Sequence, residues 1–402
     1  MIRTTFELEQ QPTDQARDGP VSLTSEGPID EADGRCRPRS DEIIFRVQDT
    51  ASQSRGLAPQ SIRGSHASSL AGLDPVTNMT STHLRADSND SSVSVVIVSW
   101  NTRDLLRDCL HSINQQTRLR HEIVVVDNAS RDGSAEMVER EFPEVILLIN
   151  RDNRGFAIAN NQGIRATSGY YVLLLNPDTV ILDGAIDKMV RWLDEHPGVG
   201  CAGCQILETE TEIQRTCFSD PGPFNLLLME TALHRVLHDW PLFCRPAYGQ
   251  WDRRTERDVD VVHGMFMLTS RLVIEQVGLL DEDFFVYSEE ADWCRRIRKS
   301  GYRCAFTPMA RVLHRDGGGN STIQSKTRMF VQFQKSRLLY VQKYYGVAGR
   351  TAARFILLGS MFARWTLFGA MSCITGDVES RTRSRLGRAT LRFLLSGAEP
   401  TS

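Results

Sequence analysis

Several features that mark common functional classes are scarce or missing in this 402-residue sequence. Its nine cysteines are scattered without paired spacing, so a disulfide framework is excluded. The one Cys-x-x-Cys, Cys201 to Cys204, has no second pair or following His cluster and stands in an apolar run. Such thiols read as buried core rather than as a metal or redox pair. Elsewhere Cys, His and carboxylates form no zinc spacing. The opening decapeptide MIRTTFELEQ lacks the apolar core of a signal peptide, which, with the cysteine usage, predicts a cytoplasmic location. A formal charge of −3 argues against a dedicated nucleic-acid binder. No G-x-G-x-x-G follows the first strand, which speaks against a dinucleotide enzyme, and no G-x-x-x-x-G-K-[ST] offers a phosphate-cradling loop. A G-x-S-x-G elbow is absent, so serine hydrolase chemistry has no foothold. There are no internal repeats.

What is present divides into three. Residues 1–90 are rich in Ser, Gln, Arg, Asp and Gly, with isolated apolar residues and no sustained period. This composition predicts a disordered extension, with at most a short strand or helix near 43–47. Order begins at Val93 with VSVVIVS, a continuous β-branched run of the kind buried on both faces of a parallel sheet. Helical spacing follows at Leu105, Leu106, Cys109, Leu110 and Ile113. Further strands are predicted at 122–126, 145–149, 170–175 and 199–206, and helices through Met137–Val138 (capped by Ser130 or Asp132), over 156–166 and over 185–193. This alternation predicts an open, doubly wound, mostly parallel α/β sheet. Residues 208–258 read as a β-ribbon and a partly helical insertion. A strand over 259–268, a helix over 271–277, a helix over 290–300 and a strand over 302–306 resume the core, before His314 and a run of three glycines, Gly317 to Gly319.

Ligands of open α/β sheets bind beyond the carboxyl ends of the strands, so polar residues at those ends are the candidates. Asn101, the pair Asp127-Asn128 and the triplet Asn176-Pro177-Asp178 qualify. Without a phosphate loop, a bound nucleotide would need carboxylates and a Mg²⁺ or Mn²⁺ ion. Asp178, projected by Pro177, either serves that need or only begins a turn. The cluster Glu289, Glu290 and Asp292 at a helix start either complements the macrodipole or, by crowding like charges, raises one carboxyl's pKa as suits a general base. His314, alone, reads first as a structural histidine.

Taken as an ordered set, VSVVIVSWN, EIVVVDNASRDGS, NRGFAIANNQGI, LLLNPD, SEEADWCRRIRKSGY and VLH resemble the family 2 glycosyltransferases of the GT-A fold, and particularly their rhamnosyltransferase-like branch. The resemblance covers about residues 93–319 and implies a catalytic domain over 91–320. It implies that Asp127 contacts the donor base, with Asn101 and Asn128 lining the pocket. Asn153, Gly155, Phe156 and Asn161 would lie beside the nucleotide and diphosphate. Asn176 takes the first acidic place of the usual Asp-x-Asp, which leaves metal binding to Asp178, and His314 aligns with a further metal ligand. Glu290 falls at the catalytic base, with Glu289 and Asp292 shaping the acceptor side. The implied reaction is inverting transfer of a sugar, rhamnose first, from a dTDP- or UDP-sugar to a glycan or lipid-linked hydroxyl. A binding module without transfer and a sugar nucleotidyltransferase are the alternatives. The first would need the base or metal ligands to be missing, whereas Glu290, Asp178 and His314 are all present; the second would release pyrophosphate.

Residues 321–402 are basic and apolar. The stretch 355–375 (FILLGSMFARWTLFGAMSCIT) is about long enough to span a bilayer, yet carries Arg364 at its centre and is flanked by arginines. A helix pair lying on an anionic membrane surface is the expectation, ahead of a soluble packing helix or a true span.

Overall fold

The computed structural model describes residues 44–45 and 92–397, except 210, most of 234–244, 250 and 316–325. Apart from that two-residue strand, the expectation for residues 1–90 lies outside the described residues, as do the three glycines after His314.

The strands are β1 (Ile44–Phe45), β2 (Val93–Ser99), β3 (His121–Asp127), β4 (Ile146–Ile149), β5 (Tyr171–Leu175), β6 (Thr179–Ile181), β7 (Val199–Leu207), β8 (Arg257–Val259), β9 (Phe266–Ser270) and β10 (Arg303–His314). The helices are α1 (Arg103–Gln116), α2 (Ser134–Glu141), α3 (Phe156–Arg165), α4 (Ala185–Glu195), α5 (Pro223–Glu230), α6 (Arg271–Val277), α7 (Glu289–Lys299), α8 (Lys326–Thr375) and α9 (Val378–Ser396). One ten-stranded sheet runs β1-β4-β3-β2-β5-β9-β7-β10-β6, with β8 paired to β10. Its first half, β4-β3-β2-β5, is parallel, and so is β7 with β10. β9 runs antiparallel between β5 and β7, which leaves the carboxyl ends of all six parallel strands on one edge. This is the open, mostly parallel α/β sheet that the alternation predicts, and it agrees with the GT-A fold that the resemblance implies.

The unbroken apolar character of β2 and β5 follows from covering on both faces. Val95, Ile97, Leu173 and Leu175 pack into one core, and Val96, Val124, Val172 and Leu174 into the other, as the two-residue side-chain period requires. The same period separates the Cys-x-x-Cys thiols: Cys201 belongs to one core and Cys204 to the other, so no single ion can bridge them.

Three expectations about elements need correction. The strand predicted over 259–268 is two strands, β8 and β9, parted by a loop that carries His263. The strand predicted over 302–306 runs on to His314; Pro308 is accommodated at an irregularity between Thr307 and Arg311, where a missing N–H costs the ladder nothing. β6 has no sequence signal. Its three residues form a strand only because β10 offers an edge. For α2, Gly133 is the N-cap, and Asp132 accepts the Ser134 N–H at 3.0 Å from one position earlier.

Candidate functional site

The carboxyl edge of the sheet gathers the polar residues singled out above. β3 ends in Asp127, which is buried. One of its carboxylate oxygens accepts the Ser130 N–H at 2.9 Å, and the other has no protein partner. Burial pushes this carboxyl above its ordinary value. Asn101, with φ 55°, ties the β2 loop to the β3 loop: its N–H donates to Ser130 Oγ at 2.9 Å, and its side-chain oxygen accepts the Arg131 N–H at 2.7 Å.

Asn128 takes a different part from the one implied. Its amide nitrogen donates to Asn153 Oδ1 at 3.0 Å and to the Gly155 carbonyl at 3.2 Å. Its oxygen accepts from Asn150 Nδ2 and the Arg154 N–H, both at 3.0 Å. All its capacity shapes the 150–155 loop. Asn161 is likewise committed: it donates to the Leu280 carbonyl and to Glu282, and accepts the Leu280 N–H. Both are buried struts of the site rather than groups free to meet a ligand.

The 150–155 loop is clamped at its end. Gly155 has φ 82°, and a Cβ placed there would lie 2.3 Å from the Phe285 carbonyl oxygen. That oxygen accepts the Phe156 N–H at 2.6 Å. Only glycine suits both the dihedral and the approach. The contact draws the 281–288 loop, and with it the start of α7, against the α3 N-terminus, whose Phe156 ring neighbours Gly264.

After β5 the chain turns at Asn176-Pro177-Asp178. The Asn176 N–H donates to the Met265 carbonyl at 3.1 Å. β6 then runs antiparallel to the end of β10, with Thr179 opposite His314. This pairing joins residues far apart in the chain: Asp178 Oδ2 stands 3.1 Å from His314 Nε2, with both side chains buried. Asp178 Oδ1 and His314 Nδ1 have no protein partner. His263, from the β8–β9 loop, is a neighbour that sequence reading missed. Burial and then the nearby His314 push its imidazole down to about 4, so it is neutral at pH 7. The glycine after it, Gly264, was the available signal that the apolar run does not continue as strand.

Among the described residues no group of three or more His, Cys, Asp or Glu could hold a metal ion. A divalent cation bound here would therefore rest on Asp178 and His314, with diphosphate oxygens and water filling the remaining positions, the usual manner of Mg²⁺. The buried oxygen of Asp178 that has no protein partner suits such an ion.

α7 opens with the carboxylate cluster. Tyr287 and Ser288 both have φ 71°, an uncommon conformation for residues with side chains, and together they swing Glu289 and Glu290 inward. The strained turn is held from outside by Ser336 Oγ, which donates to the Val286 carbonyl at 2.7 Å, and by Phe333 edge-on to Tyr287. Glu289 and Glu290 are both buried, each with one oxygen lacking a protein partner. Burial pushes the Glu290 carboxyl up to about 7, and burial with the Glu290 charge raises Glu289 well above its usual range. The pair therefore keeps a proton near neutrality while leaving a base available.

Asp292 does not join them. Its fully buried carboxylate accepts from Arg296 Nε at 2.8 Å, Lys343 Nζ at 2.5 Å and Tyr344 OH at 2.6 Å. It fastens α7 to α8 and has no access to an acceptor. A separate pocket beside Trp251 and Arg254 contains none of these residues.

Residues 94–244 match the family model "Glycosyl transferase family 2". An N-acetylglucosaminyl-diphospho-decaprenol L-rhamnosyltransferase of Mycobacterium tuberculosis is 26% identical over 284 residues, 67% of this chain and 90% of that protein. The low-salt glycan biosynthesis hexosyltransferase Agl10 of Haloferax volcanii is 24% identical over 246 residues, 60% of this chain and 73% of that one. Among solved structures, a mannosyltransferase of Pyrobaculum calidifontis in complex with GDP-Man and Mn²⁺ aligns with a TM-score of 0.44 at 18% identity, covering 76% of this chain and 88% of that one. With the first four of the ordered motifs, but for Val93, inside the matched residues 94–244, the chain carries a glycosyl transferase family 2 domain and is a glycosyltransferase, similar to the mycobacterial rhamnosyltransferase.

Proposed function

We propose that this enzyme transfers a sugar, rhamnose first among candidates, from a dTDP- or UDP-sugar to a hydroxyl of a lipid-linked or polysaccharide glycan in cell-envelope synthesis, with inversion. The observation that carries it is the pair Glu289 and Glu290, buried and raised in pKa yet each keeping an oxygen free of protein partners. Two carboxylates so placed await a ligand rather than stabilise the fold.

In this reading Glu290 removes the acceptor hydroxyl proton as that oxygen attacks the anomeric carbon from the face opposite the leaving group. Glu289 holds the neighbouring proton and keeps the pair from carrying two negative charges. Asp127 and the loop built by Asn101, Asn128 and Asn153 receive the nucleoside, while Gly155, Phe156 and Asn176 border the diphosphate. A divalent cation on Asp178 and His314, when bound, would offset charge on the departing diphosphate. His263, neutral, sits beside that pair without adding positive charge. The proposed organisation is an extension over 1–90, a catalytic domain over 91–320 and a C-terminal region over 321–402, with the whole on the cytoplasmic face of a membrane. The lipid-linked substrate in the mycobacterial protein's name supports that placement.

The test is release of nucleoside diphosphate from a panel of nucleotide sugars with Mg²⁺ or Mn²⁺, with and without EDTA. Metal-dependent release from one donor, abolished in Asp178→Ala, names the sugar. Pyrophosphate release instead would make the chain a nucleotidyltransferase, and donor binding with no turnover beside any acceptor would make it a binding module.

A further inference from the structure

The second half of α8 and all of α9 form a hairpin that the transfer chemistry does not use. We propose that this hairpin docks flat on an anionic bilayer surface and does not cross it. The proposal rests on the membrane-face location given above and names the surface and the mode of binding.

By length and composition α8 is the one helix among the described residues able to span a membrane. The structure divides it. Gly346, with φ 65° and ψ −166°, breaks the helix. Before the break, residues such as Arg337, Leu338, Tyr340 and Val341 are buried against the catalytic core. After it, only Ala353, Leu357 and Met361 are buried, one stripe at four-residue spacing. That stripe packs on α9, where Gly387 lets the helices meet: a Cβ there would come within 3.0 Å of the Met361 carbonyl oxygen and the Trp365 nitrogen. Away from the stripe, Phe355 is 69% exposed, Phe362 56% and Ile374 84%. Large apolar side chains at such exposure on one helix mark a surface built to be covered.

Charge identifies what covers it. Residues 347–396 hold eight arginines and no lysine, against Asp377 and Glu379 alone. Among the described residues Arg381, Arg385, Arg388 and Arg392 make no ion pair with an acidic side chain. Apolar residues beside unpaired arginines suit the headgroup region of an anionic bilayer, where the rings enter the acyl boundary and the guanidinium groups meet phosphate.

Glu230 decides between lying and spanning. This buried carboxylate, at the end of α5, accepts from Arg337 Nη1 at 2.8 Å, Ser360 Oγ at 2.7 Å and Arg364 Nη2 at 3.4 Å. Ser360 and Arg364 lie in the middle of the apolar stretch. They hold it along the catalytic core, and a transmembrane path would carry Arg364 into hydrocarbon without that partner.

The full-length chain is floated with vesicles of phosphatidylcholine alone or mixed with phosphatidylglycerol. Binding should favour the anionic vesicles, weaken in high salt and be reversed by alkaline carbonate. Phe355→Asp with Phe362→Asp should weaken it at least about tenfold. Removing Arg381, Arg385 and Arg388 as glutamines should cost about fivefold per charge, on anionic vesicles alone. Folding of each variant is checked by circular dichroism, and the arginine set, being on the exposed helix, stands if the double phenylalanine variant does not fold. Retention through carbonate would overturn the proposal in favour of a span. So would a folded wild type that ignores vesicles, or a dimer in light scattering that the phenylalanine substitutions break. Nucleoside diphosphate release is read on the same samples in buffer: its absence with vesicle binding intact would count against the donor chemistry and leave the docking surface standing.

Discussion

At the residue scale the proposed transfer turns on protons. Glu290→Gln keeps the shape and removes the base, and transfer should fall about 10²–10⁴-fold with donor affinity held, as measured by kcat against donor Kd. Since the carboxyl must be ionised to act, kcat/KM should rise with pH through about 7 and then level. Stability runs the other way. Burial raises Glu290 from an ordinary 4.5 to about 7, so between those values the folded chain holds a proton that the unfolded chain has lost. Its contribution is intact below about 4.5 and is lost as pH climbs through about 7. Glu290→Gln should therefore melt higher than the wild type at pH 8 and close to it at pH 4 in matched thermal scans. Gly155 makes a different demand. Gly155→Ala sets a Cβ against the Phe285 carbonyl at a positive φ, so it should destabilise by more than about 1 kcal/mol and slow transfer, read by urea titration beside activity. Such roles were unevenly legible. Asp127, Asp178 and Glu290 stood out because they fall at strand or helix ends and within the ordered motifs. Asn128, Asn161 and Asp292 looked the same in the chain. Only their partners, up to 121 residues away in the case of Asn161, reveal them as struts.

At the element scale, the decisive joint is between α7 and the first half of α8. Asp292 anchors Arg296, Lys343 and Tyr344 there, and Ser336 braces the strained Val286–Ser288 turn. The element that carries the proposed base is thus positioned by a helix outside the family motifs. Asp292→Ala should cost about 1–3 kcal/mol in a urea titration, because it removes three hydrogen bonds to a fully buried carboxylate, while Lys343 keeps Asp281 and Arg296 keeps the Val277 and Leu279 carbonyls. Ser336→Ala should be nearly silent in stability and lower kcat with little change in donor Kd, since it loosens the turn without emptying a core. A loss of stability equal to that of Asp292→Ala would instead make Ser336 a plain packing residue. Pattern reading succeeded for elements buried on both faces, such as β2 and β5, or along one stripe, such as α4, and failed for β6 and the far half of β10. Those two pair with each other, and β10 with β7 as well, and β-pairing over such separations leaves no local period to read.

At the scale of the whole molecule, the chain joins the proposed donor site on one sheet edge to a basic, apolar hairpin through a single helix broken at Gly346. Removing residues 1–90 should leave donor turnover unchanged, because the described part of that segment adds only the two-residue strand β1 to the sheet edge at β4. A fall in turnover would give the extension a part in the chemistry.

The sequence by itself determined the α/β class, the order of the main strands and helices and the acids at the strand ends. Burial on both faces and on one face leaves different, local and readable periods. Only the tertiary structure decided that Asp178 meets His314, that Asp292 is spent on Arg296, Lys343 and Tyr344, and that the apolar stretch after Gly346 lies along the core. Each depends on which distant segment takes up a hydrogen bond or a charge, and a buried acid costs so much alone that its partner, wherever it lies in the chain, settles its role.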